Sequence, residues 1–132
     1  MERLNLSFEN TYEFSYQEML PAASQGFIGI ECISSNKDLI KMLDSINSEK
    51  DMILAEAERS FVAQLNGSCL SPIAIYCREE SSHVLVSAKA LSQNGDKQIF
   101  KEIISSHASI NEDIRSLAKE FISKGADKLI LS

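Results

Sequence analysis

Asn94-Gly95 is the feature that most narrows what this chain can fold into. The pair lies between two apolar runs, Val84 to Leu91 and Gln98 to Ser105, and it readily takes the positive φ angles of a tight hairpin turn. A third run, Pro72 to Cys77, comes just before them. Three consecutive antiparallel strands are therefore expected. A helix precedes them: Ser48 caps it, Asp51 favours the positive end of its dipole, and Ile53, Leu54, Ala57, Phe61, Val62 and Leu65 recur at three- and four-residue steps up to a Gly67 terminator. Another follows, from an Asn111 cap through Ile114, Leu117, Ala118, Phe121 and Ile122 to Gly125, after which Leu129 to Leu131 forms a short apolar end that docks beneath the sheet. Helix, three strands and helix in that order predict an α+β domain over residues 48 to 132, with the helices on one face of the sheet.

The first third of the chain reads differently. Leu4/Leu6/Phe8 and Tyr12/Phe14/Tyr16 alternate over short stretches, and Leu20-Pro21 forbids a central strand there. Next comes GFIGIECI, Gly26 to Ile33, whose apolar residues barely alternate, as in a strand buried on both faces of an α/β sheet. No second strand of that kind occurs, so its edges and apolar surface are left without partners, the mark of an incomplete protein. A short helix follows, with an Asn36 cap and Leu39, Ile40, Leu43 and Ile46 on one stripe.

Composition excludes several functions. Lys and Arg number 13 against 19 Asp and Glu, a net charge of -6, which gives no footprint for nucleic acid or an anionic membrane. The apolar run Phe27 to Ile33 is far short of the roughly 20 residues of a membrane helix, and no signal pattern opens the chain. A cytoplasmic address is the expectation. Cys32, Cys69 and Cys77 are separated by 37 and 8 residues, unlike a disulfide framework or a zinc site, and read as reduced thiols.

Taken singly, the candidate chemical groups have bland readings. Cys69 sits in the small-residue loop LNGSCLSP, where its thiol is reachable, although position alone favours a structural thiol. Cys32 and Cys77 fall at strand positions and read as packing residues. His83 and His107 have no Cys or carboxylate at a metal-ligand spacing and read as solvated. Glu56, Glu58 and Arg59 read as a solvated helix face or a structural ion pair, Glu79-Glu80 as a solvated turn, and the GxxG of Gly26 and Gly29 supports nucleotide binding only weakly. No metal site is expected.

Read together, LPAASQGFIGIEC (20 to 32), AERSFVAQLNGSCLSPIAIY (57 to 76) and ISKGADKLIL (122 to 131) resemble, in order, the C-terminal part of the hydroxymethylbilane synthase, or porphobilinogen deaminase, family. The family pattern is close to LPAxGQGAxGIE, then AER-aromatic-x-x-x-L-x-GGCxxPIGxYA, then GAxxIL. Ser24, Ser68 and Ala74 stand where that pattern has glycine. The resemblance implies a transferase of porphyrin and heme biosynthesis that polymerises four porphobilinogen units onto a cysteine-linked dipyrromethane. It assigns the covalent cofactor attachment to Cys69 and a hydrogen bond to the oligopyrrole to Gln25, and it reads Glu58 and Arg59 as structural.

The same resemblance implies a chain that is one portion of a two-lobe α/β enzyme. Residues 1–25 are then the tail of the second lobe and the hinge, 26–46 a strand and helix returning to the first lobe, and 47–132 the cofactor-carrying α+β domain. The family's catalytic aspartate and its carboxylate-binding arginines lie upstream, so no catalytic residue is expected within these residues. Porphobilinogen and the oligopyrrole are then met through the N-terminal lobes. The chain alone is expected to be inactive and open to self-association. The alternatives are a non-catalytic cofactor-carrying or interaction module that needs a separate N-terminal partner, and an unrelated α+β binding domain.

Overall fold

A computed structural model describes residues 9–131. Helices α1 (Lys37–Asp44) and α2 (Glu49–Gln64) precede strands β1 (Ile73–Glu80), β2 (His83–Leu91) and β3 (Gln98–Ser105), and α3 (Ile110–Ser123) and the short α4 (Ala126–Leu129) follow. The strands form one antiparallel sheet in the order β1-β2-β3. Ile73 pairs with Ala90 and Val84 with Ser105, a register that runs unbroken along both ladders. Among the described residues no helix is long and apolar enough to cross a membrane.

Alternation explains the core. Ile73, Ile75 and Cys77 on β1 and Val84, Val86, Ala88 and Ala90 on β2 are all buried on one sheet face, as a period of two requires. Against them α2 sets Leu54, Ala57, Phe61 and Leu65, and α3 sets Ile110, Ile114, Leu117, Ala118 and Phe121. Phe61 and Phe121 meet edge to face with centroids 5.1 Å apart, each large apolar side chain contributing about 1.5–3 kcal/mol by burial. The helices thus lie on one face of the sheet, and the α+β architecture expected from the sequence holds.

Local departures have local causes. The left-handed residue closing α2 is Asn66, at φ 54, and Gly67 serves instead as a point of close approach: a Cβ there would lie 2.5 Å from Ile73 Cδ1 and 3.2 Å from the Val62 carbonyl oxygen. Helix α3 begins at Ile110 with Ser109 as its cap, ahead of the expected Asn111. Gly125 does end that helix, at φ 83. Of the expected apolar end at Leu129 to Leu131, Leu129 closes α4 and Ile130 and Leu131 follow in a turn, with only Ile130 of the three buried. Glu79 and Glu80 complete β1, and the turn falls on the next residues, with Ser81 at φ 48.

The N-terminal third corrects the sequence reading. Gly26 to Ile33 forms no strand, and Ile28, Ile30 and Ile33 are 87%, 60% and 76% exposed. A strand exists only where a neighbour takes its backbone hydrogen bonds, and the β1 edge, where a neighbour would pair, is engaged by a side chain. Helix α1 forms with the expected Asn36 cap, whose Oδ1 accepts from Leu39 N–H at 3.1 Å, but none of its residues is buried. Tyr12, Phe14 and Tyr16 make no strand either; Tyr16 lies over Tyr76 with ring centroids 4.7 Å apart. Leu4, Leu6 and Phe8 lie outside the described residues.

The side chain at the β1 edge is Glu58. It is 1% exposed, which overturns the solvated-face and ion-pair readings. Cys77 N–H, on the free edge of β1, donates to its Oε1 at 2.7 Å, and Ser24 N–H donates to its Oε2 at 2.6 Å. Ser24 also donates through Oγ to the Ala55 carbonyl at 3.2 Å. One carboxyl therefore binds the 22–27 segment, helix α2 and strand β1 together. Burial pushes its pKa upward, against the two N–H bonds that pull it down.

Glu58→Gln is expected to destabilise the chain by about 1–3 kcal/mol near neutral pH, because an amide offers one oxygen to two N–H donors. Since the folded-state pKa is raised, the stabilising contribution of Glu58 is complete below the unfolded value of 4.5 and declines as pH rises through the folded value. In urea unfolding, the gap between the native chain and Glu58→Gln therefore widens from pH 7 toward pH 4.5. A gap that narrows on acidification contradicts this account.

Candidate functional site

The site is built at one end of the sheet. Helix α2 stops at Gln64, the chain reverses through Asn66 and Gly67, and after five more residues it enters β1 at Ile73, locked there by a Leu91 N–H bond to the Pro72 carbonyl at 2.9 Å. Between lies the loop of Ser68, Cys69, Leu70 and Ser71. Its amides are mostly engaged: Ser68 N–H donates to Ser71 Oγ at 2.9 Å, Leu70 N–H to Ser68 Oγ at 3.2 Å, and Ser71 N–H to the Ser68 carbonyl at 3.0 Å. Two serine hydroxyls thus hold the turn.

Cys69 stands at the tip of this turn, exposed, and Leu70 beside it is 95% exposed, so nothing packs over the thiol. The structural-thiol reading from position alone is overturned. Cys77 is the opposite case, buried on the helix side of β1, its pKa pushed up to about 12 first by burial and then by the neighbouring Glu58 charge. Cys32 is half-buried in the irregular 26–33 stretch, at no strand position. All three are free thiols.

Gln25 is exposed in a turn closed by its own N–H to the Ala22 carbonyl at 3.0 Å. The segment adopts the shape that the family glycine suits, since Ser24 sits at φ 60 and pays for it through its bonds to Glu58 and Ala55. The fold does not join Gln25 to Cys69: the turn is fixed beside Glu58, six residues and about 9 Å along α2 from its C-terminal end, and among the described residues no hydrogen bond links the two. Ser68, in the second glycine position, is the residue whose hydroxyl braces the loop.

The remaining candidates resolve into structural pairs. His107 Nε2 lies 2.6 Å from Glu79 Oε1, 28 residues away in sequence, and His83 Nε2 lies 3.5 Å from Oε2 of Glu80, three residues before it, so both histidines meet carboxylates. Arg78 forks onto Glu80 and lies over the Tyr16 ring, 4.9 Å from its centroid. These groups occupy the β1–β2 turn end of the sheet, opposite the Cys69 loop. Among the described residues no group of three or more His, Cys, Asp and Glu is placed to hold a metal ion.

Comparison with known proteins bears on this geometry. The family model for the C-terminal domain of porphobilinogen deaminase matches residues 52–123, from α2 through the end of α3. Relatives named porphobilinogen deaminase include that of Campylobacter jejuni subsp. jejuni strain 81-176, 36% identical over 132 positions that cover 98% of this chain and 43% of the relative. That of Campylobacter hominis is 37% identical over the same share of this chain and 42% of its own. The protein of Listeria monocytogenes serotype 4a is 39% identical over 84% of this chain and 35% of its own length. The chain thus spans well under half the length of these relatives. With the Cys69 loop inside the matched region and the expected sheet observed, this chain belongs to the porphobilinogen deaminase family and represents its C-terminal portion.

Proposed function

We propose that this chain is the cofactor-carrying portion of a transferase that builds a tetrapyrrole from four porphobilinogen units, in heme biosynthesis, on a dipyrromethane held at Cys69. The observation that carries the reading is the exposure of Cys69, alone at the tip of a braced turn within the matched family domain. Dipyrromethane, when bound, supplies the primer from which the pyrrole chain grows. The residues here fit such a group: the thiol is open, its own backbone N–H is unengaged among the described residues, and it is a soft nucleophile suited to a lasting C–S bond. Gln25, exposed beside the Glu58 clamp, serves as a hydrogen-bond donor to the oligopyrrole once a further lobe brings the two segments together.

Residues 1–25 are proposed as lobe tail and hinge, 26–46 as the return to a first lobe, and 47–132 as the cofactor domain. The exposed isoleucines of the 26–33 stretch, with Met42 and Ile46 at 68% and 69% exposure, support this division because they form a surface awaiting an apolar partner. That same surface favours a second reading, a carrier module that works with a separate N-terminal partner. Free thiols throughout support a reducing, cytoplasmic compartment.

The test is to mix or fuse this chain with the N-terminal portion of a family relative, supply porphobilinogen and map the adduct by peptide mass spectrometry. A two-pyrrole increment is expected on the Cys69 peptide, absent in Cys69→Ser, and the chain alone is expected to release no hydroxymethylbilane. An increment on Cys32 or Cys77, or one that survives Cys69→Ser, overturns the assignment. Light scattering checks the exposed surface: association of the chain alone is expected, weakened by Ile28→Ser with Ile30→Ser, whereas a strict monomer at high concentration contradicts it.

A further inference from the structure

Residues 20–27 lie against the core, and the chain leaves it abruptly after them. Leu20 is buried, Ala23 and Phe27 pack on the core cluster, and Ile28, the next residue, is 87% exposed. Gln25 stands at the crest of this segment between two residues of left-handed backbone, Ser24 at φ 60 and Gly26 at φ 94. The turn closes on itself: Gln25 N–H donates to the Ala22 carbonyl at 3.0 Å and Phe27 N–H to the Ser24 carbonyl at 3.3 Å. Among the described residues only two hydrogen bonds tie 20–27 to the rest of the molecule, and Ser24 donates both, through N–H to Glu58 Oε2 at 2.6 Å and through Oγ to the Ala55 carbonyl at 3.2 Å.

The apolar contacts of Leu20, Ala23 and Phe27 are non-directional and hold the segment down without fixing its crest. A directional bond does that, and the shorter of the two runs to a group that is itself anchored. Glu58 Oε1 accepts from Cys77 N–H at 2.7 Å, and Cys77 lies on β1, the strand that the chain of the Cys69 loop enters at Ile73. One carboxyl thus refers the crest bearing Gln25 and the base of the Cys69 loop to the same strand.

We infer that Glu58 is a positioning residue for Gln25: through the Ser24 N–H it holds Gln25 in place on the core while a further lobe directs the pyrrole chain toward it. This rests on the oligopyrrole contact proposed for Gln25. Buried at 1% exposure, Glu58 acts on the ligand only through Ser24. Such support matters because misplacing a binding group by about 1 Å can cost on the order of 100-fold in rate, and groups on rigid elements are placed more precisely than groups on free loops.

Two measurements test this, and the first uses the full chain without porphobilinogen, so it stands apart from the cofactor reading. Backbone nitrogen relaxation of the native chain is expected to give Gln25 the order parameter of a rigid backbone, about 0.85. In Glu58→Gln the Ser24 and Gln25 amides are expected to exchange with solvent about tenfold faster, while the core amides of Phe61 and Val86 change far less. Ser24→Gly keeps the N–H and is expected to keep most of the protection. A mobile Gln25 in the native chain, below about 0.6, overturns the inference without any variant, as does unchanged exchange in Glu58→Gln. The second measurement is a double-mutant cycle in a fusion with the N-terminal portion of a family relative. Gln25→Ala and Glu58→Gln are each expected to lower kcat/KM for porphobilinogen by about tenfold, and the double variant no further, because both remove one contact. Losses that multiply overturn the positioning role. A silent Gln25→Ala overturns the oligopyrrole contact itself, a failure of the proposed function that the full-chain measurement keeps separate from release of the turn.

Discussion

A single buried carboxyl sets what the rest of this molecule can do. Glu58 accepts from Cys77 N–H on the open edge of β1 and from Ser24 N–H on the preceding segment. An edge strand normally presents a row of unsatisfied groups that invites another strand. Here one of those groups is engaged by a side chain of the helix that packs above it, and the 22–27 segment is drawn in by the same group. Ionised or not, such a carboxyl in a core is costly unless its oxygens are used, and both are used. The segment bearing Gln25 is consequently fixed to the same core that carries the Cys69 loop, while the chain from Ile28 to Ile46 is left outside it.

From that constraint follows the division of labour between the two ends of the sheet. One end gathers Glu79, Glu80, Arg78, His83 and His107 into close side-chain pairs. The other holds a thiol that nothing covers. A residue required to react cannot be one whose protonation and access are governed by packing. Cys77, its pKa pushed up to about 12 by burial and then by the Glu58 charge, is held as the neutral thiol near neutral pH. The two residues lie only eight apart in sequence, and the turn into β1 separates them into opposite environments.

Much of this was legible in the sequence because it is local. Asn94-Gly95, the alternation on β2 and the three- and four-residue steps of α2 and α3 depend on neighbours within a few residues, and each produced the expected element. The family motifs located Cys69 where its position alone pointed to packing. Glu58 was illegible because its partners are 34 and 19 residues away, and its helix neighbours Glu56 and Arg59 made a solvated face the natural reading. His107 and Glu79 met for the same non-local reason. The error at Gly26 to Ile33 was of another kind: the apolar pattern recorded a strand's environment, but the neighbouring strands that create that environment are not among these elements.

Burial, set by the fold around Glu58, leaves Cys69 the most accessible of the three thiols. Competitive alkylation of the native chain with iodoacetamide, quenched at intervals and read by peptide mass spectrometry, measures this for all three cysteines at once. Cys69 is expected to label first, Cys32 more slowly and Cys77 only on the timescale of unfolding, with the differences collapsing in denaturant. Labelling of Cys77 as fast as Cys69 in the folded chain, or protection of Cys69, would contradict it.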